Sequence, residues 1–258
     1  MKYNNYDEIK NLINVKIKEI EEKENVKIIH AVESGSRAWG FESKDSDYDV
    51  RFIYVRSKEY YLKLESTKDV IDWELNEVLD INGWDLNKSL RLFYKSNATI
   101  FEWANSPVIY ITTDEWRDIY KVTKNYFSIK SAMYQYYGTA KHNFYEYLQD
   151  NDVKYKKYFY VIRPLLACKW IEKYCTPPPV LFNDLMDIID NYDIKKIIIE
   201  LLEIKKNMNE VGTGKRIDKL NDYIKRELEY YEEYIKNYHE EKVKSWSELN
   251  KVFLKTIL

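Results

Sequence analysis

Asp47 and Asp49 stand two residues apart at the head of a run, Val50–Val55, built from β-branched and aromatic residues. Alternate side chains of a strand point to one side, so this spacing aims both carboxylates the same way. Two acids held side by side repel each other unless a cation neutralises them. Mg²⁺, with Mn²⁺ as the other option, prefers carboxylate oxygens and shares them with the phosphates of a nucleotide. Upstream, Ser34-Gly35-Ser36 follows a second apolar run, Val26–Val32. A strand that leads into a helix start presents free N–H groups, and glycine lets a phosphate approach the backbone closely. The chemistry that needs both parts is metal-assisted nucleotidyl transfer. Its carboxylates hold the metal, Gly35 and Ser36 cradle the phosphates, and an acceptor hydroxyl attacks the α-phosphorus in line.

Each piece alone is ordinary: a Gly-Ser pair is a turn, and an Asp-x-Asp is a solvated strand end. Their order along the chain, strand then Gly-Ser then acid pair then strand, carries the expectation. Arg37 is placed to pair with a phosphate oxygen, or to serve an exposed structural role. Arg51 continues the alternate series after Asp49, as a charge partner of the acids or a contact to the nucleotide. A third carboxylate is expected from a neighbouring strand. Asp80 is the first choice, because strand pairing can bring it beside Asp49; Asp85 is the second, with N-terminal stabilisation of the next helix as its other role. Asp72 and Glu74 rank below them.

The elements that must position these groups are readable from periodicity. Ile9, Ile13, Ile17 and Ile20 recur at helical spacing over residues 5–24, and Asn25 marks the stop before the first strand. Residues 56–64 read as a short helix or loop, 69–81 as a strand or hairpin broken at Gly83, and 84–94 as a helix. Asn97 is a predicted N-cap for a further short helix containing Ile100, Phe101 and Trp103, which Ser106-Pro107 ends. Beyond Thr113, strand signals nearly vanish. Segments 113–127, 128–150, 153–174, 191–208, 216–239 and 243–256 read as helices, interrupted by Pro177-Pro178-Pro179. Pro164 lies inside one of them, and a proline kink there would direct Arg163 at the cleft. Lys157 and Arg163 are therefore expected either as triphosphate or acceptor contacts or as surface cations on a kinked helix, with Lys141 and His142 as weaker suggestions of the same kind. Gly212-Thr213-Gly214-Lys215 resembles a phosphate loop only superficially: Asn209 stands where the first glycine belongs and Arg216 where a hydroxyl belongs. A helix-ending loop is expected instead.

Composition narrows the classes further. The formal net charge of −2 over 258 residues advertises no global field for nucleic acid. Interleaved tyrosines and lysines at residues 154–158 leave room for a local basic groove, although such alternation usually gives a tyrosine-lined core face. Cys168 and Cys175 lie two helical turns apart, too far to bridge, and the three histidines are scattered, which sets zinc aside. The polar N-terminal stretch lacks the apolar core of a signal peptide, and no apolar run approaches the ~20 residues that span a bilayer. A cytoplasmic protein with no membrane partner is expected.

Gly35-Ser36-Arg37-Ala38-Trp39-Gly40, followed by Ser46-Asp47-Tyr48-Asp49-Val50-Arg51, resembles the RNA-ligase-associated nucleotidyltransferases, the RlaP or YcgL-like family of the DNA polymerase β superfamily. Residues 80–86, 95–97, 101–103 with 106–107, and 157–164 are similar to the same family, so the resemblance spans most of the chain. It implies an α+β protein: a polymerase-β-like nucleotidyltransferase core with a small mixed sheet, packed against an all-helical C-terminal part. The boundary is expected near residue 112, giving a catalytic core over 1–112 and a helical domain over 113–258 that closes the nucleotide cleft. The resemblance also implies Mg²⁺ dependence and transfer of a nucleoside monophosphate from a nucleoside triphosphate. It supports Asp47 and Asp49 as metal ligands and leaves the acceptor open among RNA, protein and a small molecule. Two rival readings are a nucleotide- or RNA-binding module without turnover and an antitoxin-like regulatory partner.

Overall fold

The structure, a computed structural model, describes residues 6–43, 46–76, 78–207, 212–240 and 245–258. Residue 5 of the expected first helix, Asn209 and residues 243–244 of the expected last helix lie outside the described residues. Helix α1 (Tyr6–Glu24) buries its isoleucine stripe completely and ends where Asn25 adopts a left-handed φ of 50°. Strand β1 (Lys27–Glu33) is buried along almost its whole length, as a central strand covered on both faces must be. A single helical turn, α2 (Gly35–Ala38), precedes β2 (Tyr48–Val55). After the short α3 (Lys58–Tyr61), β3 (Val70–Leu75) and β4 (Leu79–Asp85) form a hairpin.

Gly83 does not break this stretch. It lies inside β4 opposite Phe52, and a Cβ there would stand 2.1 Å from the Phe52 ring. The missing side chain is what lets that ring lie across the strand.

Asp85 then caps α4 (Leu86–Tyr94), accepting the Asn87 N–H at 2.7 Å, and Asn97 caps α5 (Ala98–Ala104), accepting the Ile100 N–H at 3.2 Å. Strand β5 (Ile109–Thr112) was not foreseen, since four residues are too few to establish an alternation. The sheet order is β3-β4-β2-β1-β5; β2 and β4 are parallel and the other pairs antiparallel.

Alternation along the strands divides the core into two layers. Ile28, Ala31, Val50, Phe52, Leu79 and Ile81 pack with the α1 isoleucines on one face of the sheet. Ile29, Val32, Ile53 and Val55 belong to the larger cluster on the other face. That cluster continues without a break into α6 (Asp114–Thr123), α7 (Ile129–Tyr147), α8 (Lys156–Tyr174), α9 (Phe182–Met186), α10 (Tyr192–Asn207), α11 (Asp218–Asn237) and α12 (Ser247–Ile257). Two short strands, β6 (Asp152–Lys154) and β7 (Thr213–Lys215), pair within this helical part, so the expected helix-ending loop at Gly214 is a strand.

Aromatic contacts join the two parts: Phe41 meets Phe159 at 5.1 Å and Phe182 at 5.4 Å, and Tyr94 stacks on Trp246 at 3.7 Å. Cys168 is buried, Cys175 exposed, and both are free thiols. Among the described residues, no helix is long and apolar enough to cross a membrane.

Because one core serves both parts, Phe41→Ala is expected to destabilise the whole chain by about 3–5 kcal/mol with a single cooperative transition. Urea unfolding followed by tryptophan fluorescence and circular dichroism checks this. Two separated transitions would show that the parts unfold independently.

Candidate active site

The parallel pairing of β2 with β4 sets Asp49 directly beside Asp80. Val50 and Phe52 on β2, and Leu79 and Ile81 on β4, face α1. The residues between them, Asp49, Arg51 and Asp80, therefore share the opposite face, toward the helical part. The Arg51 guanidinium lies between the acids. Its Nη2 donates to Asp49 Oδ1 at 2.9 Å and to Asp80 Oδ2 at 2.6 Å, while Nη1 donates to the Asp80 carbonyl at 2.9 Å. Burial raises the Asp49 carboxyl above the ordinary aspartate range; Arg51 opposes this, and Asp47 and Asp80 reinforce it through like charge. Asp47, just before the strand, is exposed.

Gly35 lies against these acids. Its φ is +59°, a conformation cheap only for glycine, and a Cβ would fall 2.0 Å from Asp49 Oδ2. The Ser34 N–H donates to the Asp49 carbonyl at 2.8 Å, which ties the end of β1 to the start of β2. The first turn of α2 leaves the Gly35 and Ser36 N–H groups without intrahelical acceptors. Arg37 serves the loop: Nε donates to the Asp47 carbonyl at 2.9 Å, Nη2 to the Ser46 carbonyl at 2.6 Å, and the guanidinium covers the Tyr48 ring at 3.7 Å. These contacts tie the half-buried Arg37 to the loop before β2.

Glu33 received no role from sequence reasoning, yet it organises this corner. It is 1% exposed, accepts the Asp49 N–H at 2.8 Å and the Tyr110 hydroxyl, and its carbonyl accepts from Ser106 at 2.6 Å. Burial pushes its carboxyl up to about 7, against the pull of the Tyr110 and Asp49 donors. The available signal was an acid ending an otherwise apolar strand immediately before Ser-Gly-Ser.

The remaining expected residues lie elsewhere. Asp85 sits at the far end of β4, about 16 Å along the strand from Asp80, where it caps α4 and accepts the Tyr61 hydroxyl at 2.9 Å. Asp72 accepts from Asn82, and Glu74 lies 3.5 Å from Lys16. Lys157 covers the Tyr147 ring at 3.5 Å. Arg163 is buried, paired with Glu102 at 2.8 Å and stacked on Trp39 at 4.5 Å, so its contact with the α2 segment is made through an aromatic ring. Lys141 pairs with Glu232 at 2.8 Å on the surface.

No group of three or more His, Cys, Asp and Glu side chains arranged to hold a metal occurs among the described residues. The chemistry of the donor set nevertheless suits a hard cation. Asp49 and Asp80 offer carboxylate oxygens, the donors a hard cation takes, to the point that the Arg51 guanidinium holds in this structure.

Residues 9–255 match the RlaP family, described as the RNA repair pathway DNA polymerase beta family, and the chain belongs to that family. It is 45% identical over 245 residues to the uncharacterized protein YcgL of Bacillus subtilis (strain 168), covering 93% of this chain and 94% of that protein. The crystal structure of a nucleotidyltransferase-like protein from Exiguobacterium sibiricum 255-15 aligns over 96% of this chain and 89% of its own. The TM-score of that alignment is 0.31, at 13% identity.

Asp85 generates a pH test. Burial raises its carboxyl to about 6, with the Asn87 N–H and Tyr61 hydroxyl pulling the other way. An acid that ionises later in the folded state takes up a proton on folding. Its contribution to stability is full below the unfolded value near 4 and is lost as pH rises through about 6. Asp85→Asn keeps an acceptor for the cap and removes the charge. Relative to the native chain it should gain on the order of 2–3 kcal/mol between pH 4 and pH 8 in urea titrations. A difference that does not change with pH would refute this assignment.

Proposed function

We propose that the chain is a Mg²⁺- or Mn²⁺-dependent nucleotidyltransferase that moves a nucleoside monophosphate from a nucleoside triphosphate to a hydroxyl acceptor. The observation that carries this reading is the convergence of Asp49 and Asp80 on one point, held in this structure by Arg51, against the bare backbone of Gly35. Asp49 and Asp80 would hold the ion, with Asp47 at the exposed edge. When bound, the ion supplies charge neutralisation for the attacking oxygen and the departing pyrophosphate. The chain's own groups do the rest. The Gly35 and Ser36 N–H groups bind phosphate oxygens, Glu33 fixes the Asp49 backbone, and Arg37 holds the Asp47 loop. The acceptor oxygen bonds to the α-phosphorus, the bond to pyrophosphate breaks, and the hydroxyl proton passes to a carboxylate of the group. Membership of a polymerase beta family supports this reaction class, and the family's RNA repair description makes RNA the first acceptor to try.

One observation favours a second reading, a binding module without turnover: Arg51 engages both acids at once. Asp49→Asn and Asp80→Asn separate the two readings. Each should lower transfer from α-labelled triphosphates into RNA or protein of a cell extract by at least ~10³-fold while the variants stay folded. Transfer at the native level in both would sink the proposal.

Arg51→Gln gives a readout independent of turnover. Without divalent ions it should melt several degrees lower than the native chain, because the facing acids lose their counter-charge. Millimolar Mg²⁺ should restore the melting temperature, since an ion that binds only the folded state stabilises it. The same response to Mg²⁺ in Arg51→Gln and Asp49→Asn would contradict an ion at this point.

A further inference from the structure

A cavity of about 650 Å³, with Trp39 on its wall, opens between α5, α7 and α8. Five aromatic residues, Trp39, Tyr134, Tyr136, Phe159 and Tyr160, line it, and Tyr134 is 67% exposed. Tyr134, Gly138 and His142 follow one another at helical spacing on the same face of α7, so the absent side chain of Gly138 leaves a gap between two rings. Glycine inside a helix costs about 1 kcal/mol relative to alanine. Packing does not require it here, because a Cβ at Gly138 would meet no atom within 4 Å. The gap is therefore space that the fold leaves unfilled at some cost in helix stability.

The polar groups say what could enter. Among the described residues, the one Lys or Arg lining the cavity is Arg163, and Glu102 already takes its charge, so a phosphate finds no free counter-ion there. Asn143 spends its amide N–H on the Thr139 carbonyl at 2.8 Å and presents its own oxygen as an acceptor. Aromatic walls, neutral polar groups at Thr99, Tyr134 and Asn143, and an arginine already paired with Glu102 describe a site for an uncharged planar heterocycle. Position identifies the heterocycle. Trp39 closes the turn that begins at Gly35, its N–H bonded to the Gly35 carbonyl at 3.0 Å. One turn spans about 6 Å, within the reach of a single nucleotide.

We infer that this cavity is a nucleobase pocket, a site that deepens the nucleotidyl-transfer reading by giving the ring of a nucleotide its own compartment beside the phosphates. The base comes either from the donor triphosphate or from the terminal nucleoside of the acceptor, and binding experiments separate the two. Calorimetry with the four ribonucleosides, run in EDTA so that no metal takes part, should show at least one that binds the native chain at millimolar concentration or better. Gly138→Leu fills the gap and should weaken that binding at least tenfold. Tyr134→Ala, which removes an exposed ring and leaves the core untouched, should weaken it as well. Gly138→Ala should melt at or above the native temperature, showing that the position is not reserved by packing.

With Mg²⁺ present, a tenfold loss of the matching triphosphate in Gly138→Leu, with inorganic tripolyphosphate binding unchanged, assigns the base to the donor. Loss of the nucleoside alone, with triphosphate binding intact, assigns it to the acceptor. Absence of nucleoside binding to the native chain, or equal binding in both variants, overturns the pocket. Because Asp49→Asn and Asp80→Asn should keep nucleoside binding, failure of the transfer chemistry and failure of the pocket are read separately.

Discussion

Parallel strands set equivalent residues side by side, and in β2 and β4 this places Asp49 and Asp80 abreast on one face. Neither can turn away, because the alternate positions that face α1 are filled by Val50, Phe52, Leu79 and Ile81. A one-residue slip would bury both acids among isoleucines, so the apolar core on one face enforces electrostatic crowding on the other. The crowding is met locally. Arg51 spans the two carboxylates, Glu33 takes the Asp49 N–H, and Gly35 yields its side-chain volume to the Asp49 carboxylate. The corner is thus assembled from β1, α2, β2 and β4 together, and no single segment of the chain could form it.

Much of this was legible in the sequence because it depends on short-range spacing. The isoleucine stripe of α1, the Asp-x-Asp at the head of β2 and the Asn97 cap each rest on a few residues with a physical signature. Asp80 was reachable by the same route, since a strand that follows Asp49 and ends in a helix can pair beside it. Glu33 left only one mark, an acid closing an apolar strand, because its role depends on Tyr110 and Ser106, which come from the end of the sheet region. β5, β6 and β7 are three or four residues long and carry no periodicity; partners supplied by the fold define them. Gly83 illustrates the opposite error. Its composition suggests a break, whereas the neighbouring Phe52 ring makes it a required strand position.

The helical part contributes less charge to the site than its cations suggest. Lys157 lies over a tyrosine ring and Arg163 is matched with Glu102, so both are committed within the fold. Arg163 still matters to the corner around Gly35, because its guanidinium presses on the ring of Trp39 and so braces the turn that begins at Gly35. A charge expected to act on a ligand acts first on the shape of the wall beside it. The sequence places these cations on helices but is silent on which of them another side chain will neutralise.

The stacking of Tyr94 on Trp246, with Tyr61 against Phe253, brings α12 back onto segments that precede it by more than half the chain. Contacts so distant in sequence form late, because the loop they close is costly in entropy. During synthesis the sheet region would emerge with Tyr61 and Tyr94 still uncovered. Its completed form must wait until residues past 246 have left the ribosome.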